Sequence, residues 1–153
     1  MKRRDIKMEN QVNDLNVLLA DLNVFYRKLQ NYHWNIIGKD FFTIHEKLEE
    51  YYDEINEQID EIAEHILMLG GEPLGTMQDY LNTTCIKEAK NEKIKDDIMF
   101  ENVIKDLETL LKKVTEIKKK ADDTNNYATS SLMDEYISNY IKKLWMLKQM
   151  MGK

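Results

Sequence analysis

The sequence predicts an all-α chain, one four-helix bundle with a single long crossover between its second and third helices. Three observations carry this. Apolar residues recur every three or four positions through four long segments. Only one proline and five glycines interrupt the 153 residues. No stretch alternates apolar with polar residues at the turn spacing of an all-β chain.

The first stripe runs from Val12 through Leu15, Leu18, Leu19, Leu22, Phe25, Tyr26 and Leu29. Gly38 stops it, and Asp40 is placed to cap the next helix. The second stripe is Ile44, Leu48, Tyr51, Tyr52, Ile55, Ile59, Ile62, Ile66 and Leu69, ended by Gly70, Gly71 and Pro73. Residues 74 to 92 hold no sustained stripe and read as the crossover, with a short helical turn over Met77 to Leu81. Phe100, Val103, Ile104, Leu107, Leu110, Leu111, Val114 and Ile117 define helix three, whose lysines at 118 to 120 suit a helix C-terminus. Asp122 to Asn126 punctuate. Leu132, Tyr136, Ile137, Tyr140, Ile141, Leu144, Leu147 and Met151 make helix four. Four amphipathic helices must bury their stripes on one another, giving a bundle domain over residues 10–153 behind a short tail, 1–9.

Lysine and arginine number 22 against 28 acids, a net charge of −6, so the field repels nucleic acid and anionic membrane and gathers cations. The one cysteine, Cys85, has no internal disulfide partner. Neither a secretory signal nor a long uncharged apolar run is read, so a soluble, cytoplasmic chain with no membrane partner is expected.

All three histidines, His33, His45 and His65, fall in the first half. His45 and Glu49 are four apart, as are Asp60 and Glu64, so each pair shares a helix face and can offer two donors to one cation. Nitrogen with carboxylate oxygen suits iron, manganese or zinc. Eleven residues separate Glu49 from Asp60, a rise of roughly 16 Å, too long for one metal but within roughly 20° of the same face. If two copies of helix two pack antiparallel about a two-fold axis near Glu54 and Ile55, His45 falls opposite Glu64 of the mate and Glu49 opposite Asp60. The competing readings are acids that decorate a solvated face, and a bundle-internal di-iron centre. The latter needs Glu-x-x-His on two helices, and no such motif occurs. His65 lies about 100° round the helix from Glu64 and is left out of the site.

Several motifs then occur in order: Asn31-Tyr32-His33-Trp34-Asn35-Ile36-Ile37-Gly38, Phe41-Phe42-Thr43-Ile44-His45-Glu46-Lys47, Asp60-Glu61-Ile62-Ala63-Glu64 and Gly70-Gly71-Glu72-Pro73. Together, and with Leu144-Trp145-Met146-Leu147 near the end, they resemble the Dps family (DNA protection during starvation) of ferritin-like proteins. The resemblance implies a ferritin-like bundle, a hollow shell of twelve subunits, and ferroxidase sites at two-fold interfaces. It implies His33 and His45 of one subunit with Asp60 and Glu64 of its partner as iron ligands. It also implies Fe(II) oxidised by hydrogen peroxide, or more slowly by oxygen, and ferric oxide stored within. The family usually has aspartate four residues after the second histidine; here Glu49 stands there, so the site takes one iron or two. Trp34, beside His33, is a candidate electron relay or an interface aromatic. Asp122 and Asp123 are candidates for an iron-entry pore, or helix caps, with Asn125, Asn126, Ser130 and Ser131 nearby where more acids would be expected.

DNA binding, the other activity associated with the family, is the alternative function, a nucleoid-protection protein with little ferroxidase activity. Its usual carrier is a basic tail. Lys2, Arg3, Arg4 and Lys7 are partly offset by Asp5 and Glu9, so DNA is not the favoured partner.

Overall fold

The computed structural model describes residues 2–153. Four long helices form the bundle: α1, Arg3–Asn35; α2, Phe41–Met68; α4, Asp96–Asp123; and α5, Tyr127–Met150. The crossover between α2 and α4 carries a short helix α3, Met77–Thr83. Two-residue strands β1, Ile36–Ile37, and β2, Ile94–Lys95, pair in parallel, Ile36 opposite Ile94. Because β1 follows α1 and β2 precedes α4, the crossover has returned the chain to the end at which α2 began, and α4 runs in the direction of α2. The pairing joins Ile36, buried, to a half-buried partner and is too short for any periodic signal.

The stripes meet as predicted. Leu15, Leu18, Leu19, Leu22, Phe25 and Leu29 of α1 bury against Ile44, Leu48, Ile55, Ile62 and Ile66 of α2, and against the α4 and α5 stripes. Several expectations shift. Helix α1 begins at Arg3 where periodicity had placed Val12, so residues 3–9 of the proposed tail are helical and nearly all exposed. Met99 and Met133 are fully buried although neither was read into a stripe, and Ile141 is 52% exposed. Asp40 occupies the N-cap position of α2 without a side-chain cap bond.

The helix ends are set by particular residues. Gly70, at φ +81°, closes α2: its N–H reaches the Leu67 carbonyl and the Gly71 N–H the Ile66 carbonyl, both at 2.9 Å. This is the Schellman pattern, which needs a left-handed residue. Gly71 is required for a different reason, since a Cβ there would lie 2.7 Å from Val12 Cγ1 on α1. Asn125, at φ +57°, closes α4 with the same pair of bonds, Asn125 N to Asp122 O at 3.2 Å and Asn126 N to Ala121 O at 2.8 Å. Asn126 then caps α5 through its side chain, accepting from Thr129 N.

Buried polar contacts pin the crossover to the bundle. The Asp21 carboxylate, fully buried on α1, accepts from Thr84 Oγ1 at 2.7 Å and Cys85 N at 2.6 Å. Lys28 donates to the Lys87 carbonyl at 2.7 Å and pairs with Asp106 of α4 at 2.8 Å.

Candidate metal centre

His33 sits in the last turn of α1 and His45 in the first turns of α2, brought together by the reversal through Ile36–Asp40. Their rings stack at 3.6 Å between centroids, 11° from parallel. His33 Nδ1 lies 2.6 Å from the His45 carbonyl, and His45 Nδ1 lies 2.7 Å from the His33 carbonyl. A carbonyl only accepts, so each Nδ1 carries a hydrogen, and in the neutral imidazole this leaves the lone pair on Nε2. This hydrogen bonding fixes both tautomers in the form that ligates a metal through Nε2. Phe41 stacks on His45 at 4.9 Å, and the Tyr52 ring meets His33 edge-on at 5.4 Å. Sequence spacing alone gave no sign that the two imidazoles would lock one another.

Glu49 lies on the same part of α2, with the Tyr52 hydroxyl 3.4 Å from its Oε1. Burial, then the charges of Glu49 and Asp53, push the Tyr52 phenol above its ordinary value. Asp60 and Glu64 lie farther along the unbroken helix, exposed. Among the described residues, no three histidine, cysteine or acidic side chains gather as one metal cluster. The histidines and the second acidic pair therefore stand apart within one chain.

Asp60 and Glu64 do not stand alone. With Glu57, Glu61 and Glu135 they line an acidic groove of about 530 Å³ between α2 and α5. Glu57 and Glu61 were missed as site neighbours, although positions 57, 60, 61 and 64 have the i, i+3, i+4, i+7 spacing of one helix face. His65 is buried at the floor, its Nε2 2.8 Å from Thr129 Oγ1 on α5, and burial pushes its imidazole below the ordinary value. It therefore lines the same groove as Asp60 and Glu64 while tying α2 to α5. Beside it the α2–α5 seam is closed by Tyr136 to Glu61 at 2.5 Å, Tyr140 to Gln58 at 2.7 Å, and the pairing of Lys143 with Glu54.

Trp34 is 56% exposed, with the Arg27 guanidinium 6.0 Å from its ring, and it is outside the imidazole stack. Asp122 and Asp123 end α4 and cap nothing; Asn125 and Asn126 do that. Asp122 accepts from Ser130 Oγ at 2.5 Å and lies 3.6 Å from Lys118, which also pairs with Asp134 at 3.0 Å. That lysine offsets charge at Asp122, one of the two pore candidates. Asp123 is exposed.

No helix among the described residues is long and apolar enough to cross a membrane. The ferritin-like domain family matches residues 12–153. The chain is 41% identical to DNA protection during starvation protein 2 of Bacillus anthracis, over 91% of this chain and 94% of that one. It is 36% identical to general stress protein 20U of Bacillus subtilis, over 94% and 99%. Among solved structures, the Dps protein of Vibrio cholerae, described as one of the ferritin-like diiron-carboxylate proteins, superposes with a TM-score of 0.92 at 36% identity, covering 95% and 91%. A Dps protein of Bacillus brevis gives 0.93 at 34%, covering 99% of both chains. On this fold, these motifs and these matches, the chain belongs to the Dps family of ferritin-like proteins.

Proposed function

We propose that the protein is a ferroxidase and iron store, with Fe(II) bound between His33 and His45 of one subunit and the partner subunit's Asp60 and Glu64. One observation carries the reading. Two imidazoles are held rigidly in the metal-binding tautomer, which a solvated or merely packed histidine pair does not need. Imidazole nitrogen and carboxylate oxygen are a donor set that suits iron, and carboxylates stabilise the ferric product.

In the reaction each iron gives up one electron. Two Fe(II), one hydrogen peroxide and two protons yield two Fe(III) and two waters; oxygen replaces peroxide more slowly. Taking both electrons at once avoids releasing hydroxyl radical. Glu49 on the histidine side would offer a carboxylate to a second iron, and the acidic groove of Glu57, Asp60, Glu61, Glu64 and Glu135 would concentrate Fe(II) beside the site. A twelve-subunit shell with ferric oxide inside completes the reading. The description of the Vibrio relative as ferritin-like and diiron-carboxylate supports it.

Anaerobic Fe(II) titration followed by peroxide tests the proposal. The native chain should bind Fe(II) and consume peroxide at one peroxide per two Fe(II). His45→Ala and Asp60→Ala should each abolish the fast phase. Unchanged oxidation in both variants would refute it.

DNA shielding is the second reading, favoured by the relatives' names and by Lys2, Arg3, Arg4 and Lys7 on the exposed start of α1. Salt-sensitive retardation of duplex DNA that vanishes on deleting residues 1–9 would support it.

A further inference from the structure

The face of the bundle opposite the acidic groove has the reverse polarity. There α1, α4 and the crossover enclose a cleft of about 680 Å³. Six lysines line it, Lys28, Lys87, Lys90, Lys93, Lys95 and Lys105, in a chain whose net charge is −6. Among the described residues, the five other than Lys28 have no carboxylate within salt-bridge distance, although Glu88 and Glu92 lie on the same wall. Like charges left unpaired around one concavity are repulsive, and an anion would relieve that repulsion.

The floor is built to donate. Lys28, 8% exposed, donates one N–H to the Lys87 carbonyl and forms an ion pair with Asp106 at 2.8 Å, whose charge it offsets. At least one of its three N–H groups remains. Tyr32 accepts from Asn102 Nδ2 at 3.2 Å, so its own hydroxyl hydrogen is unspent, and both side chains line the cleft.

We propose that this cleft binds a phosphate-bearing small anion, with Lys93, Lys95 and Lys105 on the rim and Lys28 and Tyr32 beneath. Its volume lies in the range of small-molecule sites, about 300–1,000 Å³. A stiff duplex would meet the rim and leave the floor donors unused, so the occupant is inorganic phosphate or a nucleoside phosphate. This site is independent of iron oxidation and shares no residue with the candidate metal centre.

Isothermal titration of the full assembled protein with inorganic phosphate, with adenosine triphosphate, and with a short duplex tests it. Phosphate or the nucleotide should bind, and whichever binds names the source. Lys93→Gln/Lys95→Gln/Lys105→Gln should weaken that binding at least tenfold and leave Fe(II) oxidation unchanged. Circular dichroism and the assembled size of the triple variant should match the native protein, these residues being exposed. No binding of either small anion at millimolar concentration, equal affinity in the triple variant, or binding of duplex alone would each overturn the proposal.

Discussion

Subunit mixing is the sharpest perturbation of the proposed site. Helix α2 is unbroken from Phe41 to Met68, so His45 and Glu64, nineteen residues apart, are separated by roughly 28 Å along its axis. No motion short of breaking the helix lets one chain supply both ends. His45→Ala and Asp60→Ala assemblies should each be inactive. When the two are unfolded, mixed one to one and reassembled, half of the two-fold dimers pair one variant with the other. Each mixed dimer collects both lesions in one site and leaves its second site whole, so about a quarter of native activity should return. The assay is the initial rate of Fe(II) oxidation by peroxide, with each variant refolded alone as control. A mixture no more active than its parents would refute an intersubunit site.

Glu49→Ala should lower anaerobic Fe(II) stoichiometry toward one per site, while Glu49→Asp keeps it; equal stoichiometry in all three proteins would remove Glu49 from the ligand set. Tyr140→Phe should cost about 1–3 kcal/mol in urea unfolding at fixed protein concentration, because it leaves the buried Gln58 Oε1 unpaired. Gly71→Ala should cost a similar 1–3 kcal/mol by driving a Cβ against Val12, whereas Gly75→Ala, with nothing within 4 Å, should stay within about 0.5 kcal/mol; equal effects would deny the close approach of α1. Burial, opposed by the bonds from Thr84 and Cys85, raises the Asp21 carboxyl above its ordinary 3.8. The folded state therefore holds this proton to higher pH than the unfolded state, and stability falls as pH rises from about 4 through the folded value. Asp21→Asn, which still accepts from Thr84 and Cys85, should gain on the native protein across that rise in paired urea titrations; a constant difference would show that Asp21 does not titrate there.

What was legible in the sequence depended on period. The 3.6-residue stripes of Leu15 to Leu29 and of Ile44 to Ile66 reported helices and core together, because one face of each helix buries mainly against apolar neighbours. The start of α1 was not legible, since residues 3–9 are polar, exposed and outside any stripe. Asn125 and Asn126 stood in the punctuating stretch, yet which of five polar residues took the left-handed turn depends on backbone dihedrals that composition does not encode. At the candidate site, spacing on α2 picked out His45, Glu49, Asp60 and Glu64, but His33 entered only by resemblance. The bond that orients His33 runs to a main-chain carbonyl twelve residues on, and side-chain patterns carry no record of main-chain acceptors.

The two halves of the candidate site are prepared differently, and the difference bears on how activity would be controlled. His33 and His45 are stacked, wedged by Phe41 and Tyr52, and fixed in tautomer by the main chain, so their nitrogens bind at little further cost in ordering. Asp60 and Glu64 are exposed, have no hydrogen-bond or ion-pair partner among the described residues, and share a face with Glu57 and Glu61. Two neutral nitrogens alone hold Fe(II) weakly, and a loose set of carboxylates gathers divalent cations with little choice among them. On the proposed reading, the two-fold seam joins the rigid nitrogen pair and Glu49 to the exposed, unpartnered carboxylates of the other subunit. An unassembled chain would then collect iron without oxidising it, and assembly itself would act as the switch.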